Sequence, residues 1–278
     1  MTVFLESFLP LVEDPKIRHF CLDASGVLYN KPQGLIPGVL ASIRRIRSLG
    51  KSLFLVTNNS MKSAADISLY LSEQKLDWPA SHIFSSGLGC SLDSEMFRHL
   101  KGKKVYVSGD VSSLSYLDAF DKTCFVSSFD GADCIILLSN PQATIPSKYA
   151  DLCAYLRLNP HVSVFCCNPD RFVLNQGALL PVMGYWADYI SMKIARPVYY
   201  FGKPYPAYFS MVSTLLAEGF GITDLTSCCY VDDFIDNLKG CELPFVKVWA
   251  RDTGLGVFFN SESVQIKNVD YVLSSIAC

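Results

Sequence analysis

The stretch FCLDASGVLYN, Phe20 to Asn30, closes an apolar run on a carboxylate and then passes through a serine to a glycine. Ile17 to Asp23 reads as a short buried strand. Beyond it, GLIPGVLASIRRIRSLGKS sets Val39, Leu40, Ile43, Ile46 and Leu49 at helical spacing, with Pro37 suited to a first turn and Gly50 to a helix end. SLFLVTNNS is a second apolar strand that runs into polar residues, and SAADISLYLSEQKL is again helical, with Ile67, Leu71 and Leu76 among its apolar positions. Strand, helix, strand, helix at this spacing predicts an α/β fold with a Rossmann-like parallel-sheet core. Such a sheet carries its polar chemistry at the carboxyl ends of its strands. Asp23 and the segment Thr57 to Asn59 then meet in space although they are distant in the chain.

The alternation repeats in the middle of the chain. KKVYVSG, CIILLSN and VSVFCCNPD read as strands, and PSKYADLCAYLRL and GYWADYISMKIA as helices. This predicts an inserted α/β domain over 81–195, with the core made of 1–80 and 196–278. PVYYFGKPYPAYFSMVSTLLAEG follows as strand, turn and helix with Lys203 in the turn. TSCCYVDDFIDNLKGC is a strand running into Asp232 and Asp233, then a short helix; LPFVKVWA is a further strand, and VDYVLSSI packs on the core.

Composition narrows the function classes. The chain has 278 residues, 50% hydrophobic, with a net charge of -2. A nucleic-acid surface would show a basic footprint, and none is present. No stretch reaches the roughly 18 apolar residues of a membrane span, and MTVFLESFLPLVEDPK does not read as a signal peptide. The 11 cysteines sit mostly in apolar runs and form no Cys-x-x-Cys pair, so buried reduced thiols in the cytoplasm are expected rather than zinc. His19, His82, His99 and His161 show neither metal nor triad spacing.

Four strand ends thus carry polar residues: Asp23, Thr57–Asn58, Lys203 and Asp232–Asp233. Carboxylates, a lysine and a hydroxyl on one rim suit a magnesium-dependent phosphoryl site, because Mg²⁺ prefers oxygen ligands. A carboxylate can attack phosphorus to give an acyl phosphate. Anion then meets anion, so Lys203 and the metal must neutralise the approach. Thr57 Oγ1 and nearby backbone N–H groups would hold the phosphoryl oxygens.

LDASGVLYN, LVTNNS, FGKPYP and YVDDFIDNLKG together resemble the four ordered motifs of the haloacid dehalogenase superfamily, and the insert falls between the second and third. The arrangement is similar to the class II branch with a large α/β cap, that of p-nitrophenyl-phosphatase-like and sugar-phosphate phosphatases. The resemblance implies Asp23 as nucleophile and the Ser25 backbone carbonyl as a metal ligand. It gives Thr57 and Asn58 to phosphate binding, and Lys203 to orienting nucleophile and phosphate. Asp233 or Asp232 becomes the metal-binding acid, and both remain candidates. Asn237, Asp236, Asn59 and, from the NPD turn of the cap, Asp170 are supporting candidates. The expected partner is a small phosphorylated molecule, with a homodimer through the caps, and no nucleic acid or membrane.

Ser25 departs from the pattern. Phosphatases of this family usually carry a second aspartate there, which protonates the leaving alkoxide and later activates water. A serine does neither at neutral pH, and general acid–base catalysis contributes roughly 10²–10⁴-fold. Aryl phosphates, acyl phosphates and phosphoanhydrides would suffer least. The leading expectation is a Mg²⁺-dependent phosphatase acting through an aspartyl phosphate. The alternatives are a catalytically weakened binding or regulatory protein, and non-phosphatase chemistry of the same superfamily.

Overall fold

The computed structural model describes residues 2–30, 33–92, 100–109, 116–117, 121–138, 146–259 and 268–277; His99 lies outside them. The amino-terminal part supplies strands β1 (Val3–Phe4), β2 (His19–Leu22), β3 (Tyr29–Asn30), β4 (Gly34–Leu35), β5 (Ser52–Thr57) and β6 (Ile83–Ser85). The middle supplies β7 (Val105–Ser108), β8 (Phe125–Val126), β9 (Cys134–Leu137), β10 (Ser163–Cys166), β11 (Phe172–Asn175), β12 (Ala178–Pro181) and β13 (Tyr199–Tyr200). β14 (Cys228–Asp232), β15 (Val246–Ala250) and β16 (Tyr271–Leu273) complete the set.

Seven strands form one sheet in the order β1-β16-β15-β14-β2-β5-β6, and five form a second in the order β13-β10-β9-β7-β8. Every pairing within both sheets is parallel. This is the α/β architecture expected from the alternation. The sequence division at 80/81 and 195/196 is displaced by two pairings: β6 joins β5 in the large sheet, and β13 joins β10 in the second. Short apolar runs beside a crossover carry no periodicity that assigns them to either sheet.

A parallel sheet is covered on both faces, so its strands are apolar throughout and alternate between two cores. Phe20 and Leu22 of β2, Leu53 and Leu55 of β5, and Cys229 and Val231 of β14 share one core. Cys21, Phe54, Val56, Cys228 and Tyr230 share the other. Burying each large side chain in this way contributes roughly 1.5–3 kcal/mol. The second sheet repeats the scheme, with Ile135, Leu137, Val164 and Cys166 on one face and Cys134, Ile136 and Cys167 on the other. No disulfide joins Cys21, Cys124, Cys134, Cys153, Cys166, Cys167, Cys228, Cys229 or Cys241, and all but Cys124 are buried. Among the described residues no helix is long and apolar enough to cross a membrane.

The helix after β4 spans Val39–Ser48 and buries Val39, Ile43 and Ile46. It starts later than Pro37 suggests, because Gly38 caps it in a left-handed conformation at φ 85°. Leu49, expected on the apolar face, is largely exposed beyond the helix end. The helix Ala64–Glu73 opens with a reciprocal cap, in which the Ser63 hydroxyl accepts from Asp66 N–H and the Asp66 carboxylate accepts from Ser63 N–H. Two antiparallel hairpins, β3–β4 and β11–β12, stand apart from the sheets. The second follows the Asn168–Asp170 turn and reaches the rim of the large sheet.

Candidate active site at the carboxyl rim of the large sheet

β2, β5 and β14 lie side by side in register, with Leu22 paired to both Leu55 and Val231. All three therefore end at one rim. Asp23 follows β2 directly and continues the ladder by donating its N–H to the Val231 carbonyl at 2.9 Å. Asp232 ends β14 and Asp233 follows it. Lys203 arrives from the turn before the helix Pro206–Phe220, and its peptide bond to Pro204 is cis.

Lys203 Nζ lies 2.8 Å from Asp23 Oδ1 and 2.7 Å from Asp232 Oδ2, in a side chain only 1% exposed. One oxygen from each of Asp23, Asp232 and Asp233 lies within 4.8 Å of the others. Asp232 is hydrogen-bonded on all sides. Its Oδ1 accepts from Phe234 N–H at 2.9 Å and Asn237 Nδ2 at 3.1 Å, and its Oδ2 accepts from Tyr230 O–H at 2.6 Å besides Lys203. Asp233 Oδ2 accepts from Leu255 N–H at 2.5 Å, and its backbone carbonyl accepts from Trp249 Nε1 at 3.0 Å. A Cβ on Gly26 would come within 2.2 Å of Asp233 Oδ2, and one on Gly254 within 2.0 Å. Two side-chain-free positions at positive φ, 84° and 52°, thus cradle this carboxylate.

The electrostatics follow from burial. Asp23 is pushed up to about 7, first by desolvation, with Lys203 pulling it down and Asp232 adding to the rise. Asp233 is driven well above the carboxylate range by burial and then by its two acidic neighbours. Burial alone would lower Lys203, but Asp23 and Asp232 outweigh it and hold the ammonium above its ordinary value. Three carboxylates face one ammonium, so the ionised cluster carries two negative charges in excess. An oxygen donor set with that excess fits a divalent cation such as Mg²⁺.

The remaining sequence candidates take different places. Ser25 lines a cavity of about 40 Å³ together with Asp23, Asp170, Lys203, Asp233 and Asn237. Thr57 ends β5 at the rim, buried, with its hydroxyl accepting from Asn59 N–H at 3.4 Å. The Asn58 side chain is fully engaged. Its Oδ1 accepts from Lys203 N–H at 2.7 Å, and its Nδ2 donates to the Lys203 carbonyl at 2.9 Å and to Asp170 Oδ1 at 2.7 Å. Asn58 therefore fastens the lysine turn to the loop that carries Asp170. Asn59 lies outside the cluster, its Oδ1 accepting from Met61 and Lys62 N–H. Asp236 also lies outside it, 60% exposed and 3.7 Å from Lys239.

A larger cavity of about 570 Å³ opens beyond the first, lined in part by Asp170, Arg171, Phe172, Tyr205, Phe234 and Phe258. Several residues of the site were not among the motif candidates. Gly254 and Leu255 lie in the loop after β15 and line the small cavity. Tyr230 was legible, because positions two apart on a strand share a face and Tyr230 stands beneath Asp232. The β11–β12 hairpin also left a signal: Gln176 and Gly177 have φ 52° and 77°, the two left-handed residues of a tight hairpin turn, between apolar runs.

A family model for haloacid dehalogenase-like hydrolase matches residues 20–122. The 4-nitrophenylphosphatase of Schizosaccharomyces pombe is 27% identical over 242 residues, covering 78% of this chain and 77% of that protein. Phosphoglycolate phosphatase 1A of Arabidopsis thaliana is 32% identical over 102 residues, 37% of this chain. The matched stretch spans 28% of the length of that protein and of its sister 1B. A structure from Cytophaga hutchinsonii, described as a possible sugar phosphatase, superposes with a TM-score of 0.78 at 19% identity, covering 99% of this chain and 98% of that one. Residues 20–122 thus resemble the haloacid dehalogenase-like hydrolases, and the chain as a whole shares the fold of the solved structure described as a possible sugar phosphatase.

Proposed function

We propose that this protein hydrolyses small phosphorylated molecules, with Asp23 attacking phosphorus and an aspartyl phosphate as the intermediate. The carrying observation is the Lys203 ammonium held between Asp23 at 2.8 Å and Asp232 at 2.7 Å. An ammonium in that position keeps one carboxylate oxygen aimed and lowers the repulsion between two anions. Relatives named as 4-nitrophenylphosphatase and phosphoglycolate phosphatase support the substrate class.

Asp23, Asp233 and the Ser25 carbonyl would hold Mg²⁺. Asp233 is assigned here in preference to Asp232, because Asp232 already accepts four hydrogen bonds and a carboxylate offers about four acceptor sites. Bound there, the ion supplies charge neutralisation for the phosphoryl oxygens. Asp232 serves as the anchor that holds Lys203. The second sheet acts as the cap, with core residues extending through β6 and cap residues through β13. The phosphoryl group occupies the small cavity and the leaving group the larger one.

The test is release of inorganic phosphate from 4-nitrophenyl phosphate and a panel of alkyl phosphates, with and without Mg²⁺. The expected result is Mg²⁺-dependent turnover in the wild type and none in Asp23→Asn. Wild-type protein without turnover on every ester and anhydride, yet binding Mg²⁺ by calorimetry, would favour a binding role instead.

A further inference from the structure

We propose that Asp170, carried by the cap loop, is the general acid and base that Ser25 cannot be. The inference rests on the phosphatase reading above and names a further catalytic residue for it.

Asp170 lines both the small cavity, with Asp23, Ser25 and Asp233, and the large one, with Phe172, Tyr205 and Phe258. A bond joining a phosphoryl group in the first to a leaving group in the second crosses the boundary where Asp170 stands. Asp236, the other acid on the large cavity, is mostly exposed and faces Lys239. Asp23 and Asp233 are committed to attack and to the metal.

The loop that presents Asp170 is built rigidly. Asp170 N–H donates to Asn168 Oδ1 at 3.1 Å, and its carbonyl accepts from Gly184 N–H at 2.9 Å. Gly184 and Gly202 leave room for Pro169, since a Cβ on Gly184 would stand 2.0 Å from the Pro169 carbonyl oxygen and one on Gly202 2.5 Å from Pro169 Cδ. Asp170 Oδ1 accepts from Asn58 Nδ2, which ties the acid to the lysine turn of the core. Burial raises Asp170 above the ordinary carboxylate value; Lys203 and Asn58 oppose the rise and Asp232 adds to it. Asp23 also feels its charge, and the neighbouring Arg171 is paired with Asp188 at 2.7 Å. A carboxyl so placed holds a proton where a leaving oxygen needs one.

In the first half-reaction an Asp23 carboxylate oxygen bonds to phosphorus. The bond from phosphorus to the leaving oxygen breaks, its electron pair stays on that oxygen, and the Asp170 proton moves to it. In the second, water oxygen bonds to phosphorus while Asp170 takes the water proton. The acyl phosphate bond breaks and returns its electron pair to Asp23, releasing inorganic phosphate.

The decisive variant is Asp170→Asn, which keeps the oxygen that accepts from Asn58 and removes the proton. With Mg²⁺ present, first-turnover release of the alcohol from an alkyl phosphate such as glycerol phosphate is expected to slow by about 10²-fold or more and that of 4-nitrophenol from its ester far less, whereas steady-state kcat falls on both because they share hydrolysis of the aspartyl phosphate. The limb of the alkyl kcat–pH profile that reports loss of the acid disappears, and adding Ser25→Asp restores alkyl turnover. Carbon-13 NMR of aspartate carboxyls, compared between wild type and Asp170→Asn, is expected to assign Asp170 a titration above the usual range. Equal first-turnover losses on both esters, no loss on either, or an ordinary Asp170 titration overturns the proposal. Wild-type protein inert towards both esters overturns the phosphatase reading with it.

Discussion

At the carboxyl edge of the large sheet, β2, β5 and β14 give way to Asp23, Thr57 and Asp232–Asp233. At the same edge of the second sheet, β7 ends on Ser108, and β9 and β10 give way to Leu138 and Cys167, which simply extend the backbone ladder. Both sheets are parallel, both are apolar on two faces, and both are covered by helices. The difference lies in one imported residue. Lys203 reaches the first edge and makes buried carboxylates tolerable there, because an unpaired buried charge costs several kcal/mol and a paired one far less. Architecture supplies a rim, and the compensating cation makes that rim chemical.

The strongest way to break this comparison is to disable the charged rim. Asp23→Asn is expected to lower phosphate release by roughly 10⁴-fold or more, as loss of a nucleophile does. A variant retaining a tenth of wild-type turnover would remove Asp23 from the chemistry. Lys203→Met leaves Asp23 and Asp232 buried without their cation and should cost about 3–5 kcal/mol in urea unfolding of the metal-free protein. An unchanged midpoint would mean that the ion pairs do not compensate the burial.

pH probes the same imbalance. In the metal-free protein the folded Asp23 value of about 7 lies above the unfolded 3.8, so the folded state holds more protons between those limits. Stability therefore falls as pH rises from about 4 to about 7, by up to ~4 kcal/mol for this group, then levels off. Saturating Mg²⁺ should flatten the slope. Stability that instead climbs through this window, measured by urea titration at several pH values, would reverse the assigned direction.

Smaller effects sharpen the contrast. Gly254→Ala drives a methyl group onto Asp233 Oδ2 and should cost roughly 1–3 kcal/mol, with weaker Mg²⁺ binding by calorimetry. Unaltered Mg²⁺ affinity would take Asp233 out of the metal set. At the edge of the second sheet, Ser108→Ala should cost only about 1 kcal/mol in thermal unfolding. A loss as large as that of Lys203→Met would erase the distinction between the two edges.

Much of the rim was readable from the chain. Asp23, Lys203 and Asp232–Asp233 each stand where an apolar run stops, and a parallel sheet brings such stops to one side. The difference between Asp232 and Asp233 was not readable, because only folding gives the first four donors and the second two glycine neighbours. That the Asn58 side-chain amide bonds the Lys203 backbone and Asp170 was not readable from LVTNNS either, because both partners are remote in the chain. Asp170 was legible as a turn residue and, through the resemblance, as a supporting candidate, but its role was not, since its place depends on how the β11–β12 hairpin and its loop lie against the core.

Hydrophobic period and strand-end polarity, both local properties, were enough to determine the layered α/β class and the order of its chemical segments. Which carboxylate is saturated with hydrogen bonds, and which acid lines both cavities, only the assembled molecule decided. Hydrogen-bond saturation and cavity boundaries arise from segments remote in the chain, and no neighbouring residue encodes them.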